Sequence, residues 1–167
     1  TKGNTPAHWA ALRGYASCIT ALSERGANLN VINKSLATPT NFAASGGFKK
    51  CITALAKGGA DMNEGVPLFG TTPAGEAAEA GYVKVLQALL DAGADMNKQD
   101  CTWWSAAPVH RAAMGGDVKI MQMLLEAGAN MSSKTRNRKK TPAHFAAGAG
   151  HIGIMKVLHD AGVDLSM

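Results

Sequence analysis

Thr141-Pro142-Ala143-His144-Phe145-Ala146-Ala147 is the stretch that decides the fold, because it recurs along the chain. A near copy, Thr5-Pro6-Ala7-His8-Trp9-Ala10-Ala11, lies close to the start, and weaker copies begin at residues 38, 72 and 107. Successive copies begin 33, 34, 35 and 34 residues apart. A period of this length predicts a row of small structural units that are stabilised by contacts with their neighbours.

Each unit carries the signals of two helices separated by a turn. Threonine before proline is typical of a helix start, because threonine can cap the helix and proline fits its first turn. A glycine nine residues after each start predicts the end of the first helix, and one 21 residues after it predicts the end of the second. The first set is Gly14, Gly47, Gly81, Gly116 and Gly150, and the second is Gly26, Gly59, Gly93, Gly128 and Gly162.

The second helix of each unit carries the large apolar side chains that are expected to form the core. They repeat at spacings of three and four residues, which is typical of a buried helix face. The five stripes are Cys18, Ile19 and Leu22; Cys51, Ile52 and Leu55; Val85, Leu86 and Leu89; Ile120, Met121 and Leu124; and Ile154, Met155 and Leu158.

The pattern resembles the ankyrin repeat, whose hallmarks are Thr-Pro-Leu-His with Ala-Ala behind it and Gly-Ala-Asp-Val-Asn after the second helix. Residues 59–63 and 93–97 both read Gly-Ala-Asp-Met-Asn. The resemblance covers the whole chain and implies an all-α solenoid of antiparallel helix pairs with β-hairpin-like fingers and a concave face. It implies a single domain of five repeats, approximately residues 1–33, 34–66, 67–100, 101–135 and 136–167.

The chain departs from the family pattern at positions that the family uses structurally. Asn41 and Gly75 stand where the family has histidine, which the resemblance implies is a strut that bonds backbone across a repeat junction. Leu36 and Lys139 stand near the position of a usual turn glycine.

Composition excludes several classes of protein. With 17% charged and 46% apolar residues, the chain is not of the disordered type. The longest uncharged run, residues 35–48, is too short and polar to span a bilayer. Cys18 and Cys51 are predicted to be buried, reduced thiols and Cys101 a loop residue, which favours an intracellular protein, cytoplasmic or nuclear. Because the sequence begins within a unit, we expect further chain before it.

Charge is distributed unevenly along the sequence. The net charge of +5 equals the five basic side chains of residues 134–140, and the other 12 basic and 12 acidic residues balance. Residues 1–60 are basic and residues 61–133 acidic. This alternation favours one matched protein partner over general anion binding and disfavours nucleic acid.

No pattern in the sequence predicts catalysis, a cofactor or a metal site. His8, His110 and His144 share one repeat position, so repeat stacking keeps them too far apart for one ion, which needs ligands at about 2.0–2.1 Å. The glycine-rich residues 147–150 lack the Lys-Ser/Thr of a phosphate-binding loop. We therefore expect the chain not to be an enzyme.

Two fingers differ most from the other copies. Trp103 and Trp104 lie in a lengthened finger, where either both indoles pack beneath the helices or at least one anchors a partner. The next finger contains Arg136, Arg138 and Lys140. It is either a solvated loop, a site for an acidic partner segment, a nuclear-import signal or a contact for nucleic-acid phosphates.

The leading hypothesis is non-catalytic recognition of another protein through the concave face and the finger tips. The predicted partner carries an acidic or aromatic-containing segment, and the chain is expected to be a monomer unless its exposed terminal repeats pair. One alternative is the targeting or scaffold arm of a larger enzyme, channel or effector; another is nucleic-acid binding through residues 134–140. The predicted partner-binding residues are Trp103, Trp104, Arg136, Arg138 and Lys140, with Arg13, Glu79 and Met114 on the concave floor.

The family resemblance also implies a modification. Asn30, Asn63 and Asn97 match the finger-base asparagine that asparaginyl hydroxylases modify in some ankyrin repeats.

Overall fold

The computed structural model describes residues 3–64 and 70–166, and their regular secondary structure consists of ten helices. The first helices of the repeats are α1 (Pro6–Arg13), α3 (Pro39–Ser45), α5 (Pro73–Glu79), α7 (Pro108–Gly115) and α9 (Pro142–Ala149). The second helices are α2 (Ala16–Glu24), α4 (Lys49–Lys57), α6 (Val83–Asp91), α8 (Val118–Glu126) and α10 (Ile152–Asp160). These ranges contain no strand, and the all-α prediction is confirmed.

The helices form two rows. Each first helix packs against the next first helix, from α1 to α9, and each second helix packs against the next second helix, from α2 to α10. Each pair also packs within its own repeat. The result is the predicted solenoid of stacked helix pairs. Within the two described ranges, every helix is too short or too polar to cross a lipid bilayer.

The helix starts and ends predicted from the sequence are present in the backbone. Proline occupies the first position of α1, α3, α5, α7 and α9. The Thr38 and Thr72 hydroxyls accept the backbone N–H of Asn41 and Gly75 at 3.3 and 3.1 Å. All ten repeat glycines have φ between +73° and +79°, a conformation that side chains with a Cβ rarely adopt. Each glycine therefore ends its helix as expected.

The core lies between the two rows of helices. Its largest fully buried apolar side chains belong to the predicted stripes: Ile19, Ile52, Leu55, Leu86, Leu89, Ile120, Met121, Leu124, Ile154 and Leu158. The prediction that Cys18 is buried is wrong, since its thiol is exposed whereas that of Cys51 is buried. Cys18 lies on the outer face of α2, where no other described helix packs. Leu22 and Met155 are only half-buried.

Three fingers that the structure describes in full are tight loops, each closed by a cross-loop hydrogen bond. We call residues 31–38 finger two, residues 98–107 finger four and residues 132–141 finger five. The closing bonds run from Asn33 N to Ala37 O, from Asp100 N to Ala106 O and from Thr135 N to Lys140 O, at 2.8–3.0 Å. The predicted finger before Thr72 lies partly outside the described residues.

The predicted strut is observed in three repeats. The His8 ring accepts the Thr5 N–H at 3.1 Å through Nδ1, and its Nε2 lies 2.9 Å from Ala37 O in the next finger. His110 makes the same pair of contacts, with Ala107 N and Ser133 O. Asn41 reproduces them with an amide: its Oδ1 accepts the Thr38 N–H at 2.8 Å and its Nδ2 donates to Glu64 O at 2.9 Å. The replacement of histidine by Asn41 therefore keeps the junction intact.

Candidate functional site

Fingers four and five are joined by hydrogen bonds. Arg136 N donates to Trp104 O at 3.0 Å, and Gln99 Nε2 donates to Lys134 O at 3.2 Å. Asn137 Nδ2 donates to Trp103 O. The finger with the tryptophans and the finger with the cations are therefore one surface, as their neighbouring positions in the solenoid predict.

The two tryptophans have different environments. The Trp103 side chain lies on the surface, and the residue is 62% exposed. Trp104 is half-buried between Trp103 and Phe145, with ring centroids 5.8 and 6.0 Å away. The alternative in which both indoles pack beneath the helices is wrong. Trp104 packs against the following repeat, and Trp103 is left accessible.

Two cations of finger five, Arg138 and Lys140, lie over aromatic rings. The Arg138 guanidinium carbon is 5.5 Å from the Trp103 ring centroid, and Lys140 Nζ is 5.8 Å from that of Phe145. Within residues 3–64 and 70–166, the ion pairs involve Arg111 and His159 and none of the finger-five cations. These cations are therefore positioned by aromatic faces and keep an unneutralised charge.

A small cleft lies between the two fingers. Its volume is about 50 Å³, and its lining residues are Trp104, Thr135, Asn137, Arg138, Lys140 and Phe145. The indole Nε1 of Trp104 is buried and has no acceptor among the described residues. A buried donor without a partner costs roughly 1–3 kcal/mol, so this N–H is a candidate for bonding to a ligand.

The predicted residues of the concave floor lie elsewhere. Glu79 is 42% exposed, and its carboxylate pairs with Arg111 at 3.0 Å. Met114 is half-buried, and its carbonyl lies 3.0 Å from His151 Nε2. Arg13 lines a different, larger cleft on the outer face of the first repeat, beside Trp9. None of these three predicted residues lines the cleft between the fingers.

Small residues on the floor have a packing role. A Cβ on Gly115 would collide with the carbonyl oxygen of Glu79, so glycine there lets α7 approach α5. A Cβ on Gly148 would meet no other atom within 4 Å, so its side of the floor is open. The smooth floor is thus partly required by helix contact.

Comparison with known families agrees with this repeat geometry. The family model described as ankyrin repeats (3 copies) matches residues 8–100 and again residues 75–167. The chain belongs to the ankyrin-repeat family. A search of curated proteins gives no match. Ankyrin repeats are in general protein–protein interaction modules and are generally non-catalytic.

An ion-pair network at the base of finger four of this ankyrin-repeat chain was missed from the sequence. Arg111 donates to one carboxylate oxygen of Asp100 at 2.6 and 3.2 Å, and the Asp100 side chain is only 1% exposed. The other oxygen accepts the N–H groups of Thr102 and Ala106. The available signal was an arginine in the repeated motif, directly after His110, where the other copies have a different residue.

The finger-base asparagines of the ankyrin repeats connect successive units. The side-chain oxygens of Asn30, Asn63 and Asn97 each accept a backbone N–H of the next repeat at 2.7 Å. The donors are Asp61, Asp95 and Asn130. This arrangement gives the three amides a structural role, and their hydroxylation stays a prediction.

Two buried groups of the ankyrin-repeat core have shifted pKa values. Burial lowers the pKa of His110, although hydrogen bonds to the backbone oppose the shift. Burial raises the pKa of the Cys51 thiol. Both shifts favour the neutral form of a group in the scaffold. In the part of the chain that the structure describes, no three histidine, cysteine, aspartate or glutamate side chains converge as a metal site would require.

Proposed function

We propose that this ankyrin-repeat chain is a non-catalytic module that binds a partner protein through fingers four and five. The observation that carries the proposal is Trp103, which is 62% exposed and lies beside Arg138. Tryptophan and arginine are the residues most enriched among binding hot spots. Burying an aromatic side chain removes roughly 150–250 Å² from water, so a partner that covers Trp103 gains free energy from that burial.

The proposed energetic centre comprises the exposed indole, the half-buried indole beneath it and the three cations. Trp104 supports Trp103 from below, and Arg136, Arg138 and Lys140 surround them. Backbone and side-chain bonds between the fingers hold this surface in place, and preorganisation reduces the entropy cost of binding. Glu79 and Met114 on the predicted concave floor, and Arg13 in the cleft of the first repeat, are proposed as secondary contacts.

The wider setting is also a proposal. We place the chain in the cytoplasm or nucleus, because its three cysteines are free thiols. We further propose that it is one domain of five repeats and a monomer unless its exposed terminal repeats pair. The same binding surface would serve if the module is the targeting arm of a larger protein.

A capture experiment tests the proposal. Immobilised wild-type chain is compared with the Trp103→Ala and Trp9→Ala variants in an extract of the native cell, and bound proteins are identified by mass spectrometry. Trp9 is the matched control because it is also an exposed tryptophan, at 52%, but lies on the outer face of the first repeat. We expect a protein that the wild type and Trp9→Ala retain and Trp103→Ala loses. Equal retention by all three chains would contradict the proposal.

A further inference from the structure

We infer that the cleft between fingers four and five accepts a carboxylate from an acidic segment of the partner protein. The inference rests on the proposed function and specifies the chemistry of that same surface. It starts from two observations. The Trp104 indole N–H has no acceptor, and the cations that line the cleft make no ion pair within the described residues.

The donors of the cleft match a carboxylate. Arg138 and Lys140 contribute positive charge at the lining, and the Trp104 indole that lines the same cleft has a buried Nε1–H without an acceptor. A carboxylate accepts several hydrogen bonds at once, and bonds between charged groups are about twice as strong as neutral ones. The volume of about 50 Å³ suits one small planar group.

The two cations that line the cleft are positioned before any ligand arrives. Cation–aromatic contacts position Arg138 against Trp103 and Lys140 against Phe145, so neither cation needs to reorganise far to meet an anion. Ser105 and Lys139, in the two finger turns beside the cleft, have φ of +56° and +52°, which is strained for residues other than glycine. Leu36 has the same conformation at the matching turn of finger two, so this strain belongs to the repeated finger turn and is not specific to the cleft.

The acidic segment is favoured over other occupants by charge. Residues 134–140 contain five cations, and none of them pairs with a carboxylate within the described residues. An apolar segment would leave those charges and the Trp104 N–H unsatisfied, which costs free energy. A segment with glutamate or aspartate satisfies both.

Indole N–H signals in two-dimensional ¹H–¹⁵N NMR provide a direct test. The chain has three tryptophans, so Trp9, Trp103 and Trp104 each give one signal that Trp→Phe variants assign. The folded chain is titrated with a capped tetraglutamate peptide and, separately, with tetraglutamine. We expect tetraglutamate to shift the Trp104 signal downfield to saturation, the Trp9 signal to stay in place and tetraglutamine to have no effect. A Trp104 signal that does not shift when tetraglutamate is added would overturn the inference.

Charge variants separate a specific site from a general attraction. Arg138→Gln and Lys140→Gln remove cations that line the cleft, whereas Lys139→Gln removes the exposed cation between them. We expect the first two to raise the Kd for tetraglutamate about tenfold, as for loss of a charge-assisted hydrogen bond, and Lys139→Gln to raise it less than about twofold. Equal losses in all three variants, or saturation by a phosphoserine peptide but not by tetraglutamate, would contradict the inference.

This test is separable from that of the proposed function. If tetraglutamate does not bind but Trp103→Ala still loses its captured partner, the carboxylate preference is wrong and the binding surface stands. If Trp103→Ala loses no partner, the proposed function is wrong whatever the peptide does.

Discussion

Three residues in the finger turns have a left-handed backbone without being glycine: Leu36, Ser105 and Lys139, with φ of +60°, +56° and +52°. Each lies two residues before the start of the next repeat motif. The conformation costs an L-residue roughly 1–2 kcal/mol. All three stand at the same position of their fingers, so the strain is a shared property of the finger turns and is not confined to the cleft.

Lys139→Gly should stabilise the chain. Relief of the left-handed strain outweighs the extra freedom that glycine gives the unfolded chain, and the expected gain in unfolding free energy is about 0.5–1 kcal/mol. Urea denaturation measures it. Lys134→Gly is the control, because Lys134 is an exposed lysine of the same finger without a positive φ and should lose stability on becoming glycine. A lower unfolding free energy in both variants would show that the turn is not strained.

His110 gives the scaffold a pH dependence. Its Nδ1 accepts the Ala107 N–H, so Nε2 carries the proton that is donated to Ser133 O. Burial lowers the pKa of His110 in the folded state, so below the unfolded pKa of about 6.5 the unfolded chain binds more protons than the folded one. The stability that neutral His110 contributes is therefore fully present above that pH and is lost as the pH drops through it.

His110→Asn should weaken this dependence. Asn41 shows that an amide can make both strut bonds without titrating. We expect the unfolding free energy of the variant to fall less than that of wild type between about pH 7 and pH 5. His159→Asn, at an exposed position, serves as the control and should leave the wild-type slope unchanged. If the unfolding free energy of His110→Asn depended on pH as steeply as that of wild type, His110 would not be the source of the pH dependence.

At the scale of the helices, the junction between α5 and α7 differs from the others. Gly75 occupies the strut position of the third repeat, and a Cβ there would lie 3.5 Å from Arg111 Cγ. Arg111 spans this junction and pairs with Asp100 on finger four and Glu79 on α5. The ion pairs therefore connect the repeats where the histidine strut is absent, and they anchor the base of the tryptophan finger.

Arg111→Met tests this connection. The substitution keeps much of the aliphatic stem of the side chain but leaves the buried Asp100 carboxylate without its cation, which should cost roughly 3–5 kcal/mol. Glu79→Gln breaks only the partly exposed arm and should change stability by less than about 1 kcal/mol. Denaturant titration distinguishes the two variants. Similar small effects in both would mean that Arg111 does not support the junction.

The helix pairs could be predicted from the sequence because their signals are local and repeated. Proline and glycine fix helix ends whatever surrounds them, and the stripe of α8, with Ile120, Met121 and Leu124, is buried as its spacing predicts. The prediction that Cys18 is buried was wrong because the repeat period treats all repeats as equivalent. Burial depends on what packs outside a helix, and in the described structure no helix packs outside α2.

The site could be predicted only in outline. Its two fingers were identified because they differ from the other copies, but which indole is exposed depends on Phe145, some forty residues further along the chain. The pairing of Arg111 with Asp100 likewise exists only once finger four has folded back onto α7. Contacts between residues distant in sequence carry no local signal in a single chain.

At the scale of the whole molecule, the stability of the solenoid and its proposed recognition of a partner depend on different residues. Within the described residues, the main helix contacts of each repeat are with its neighbours, so a change at a finger tip should affect mainly its own and adjoining repeats. The repeated Thr-Pro-Ala-His stretch provides caps and struts, and the copies differ most in fingers four and five. Recognition should therefore be alterable at Trp103 with little effect on the fold.

The most direct measurement compares binding and stability in Trp103→Ala and Trp9→Ala, with the captured partner titrated by calorimetry and each chain melted. Both variants remove an exposed indole, but only Trp103 lies beside the finger-five cations. We predict that Trp103→Ala weakens binding by about 2 kcal/mol or more with a melting temperature close to that of wild type. Trp9→Ala, which alters the cleft beside the secondary contact Arg13, should weaken binding far less. Unchanged affinity in Trp103→Ala together with a large loss of stability would contradict the account.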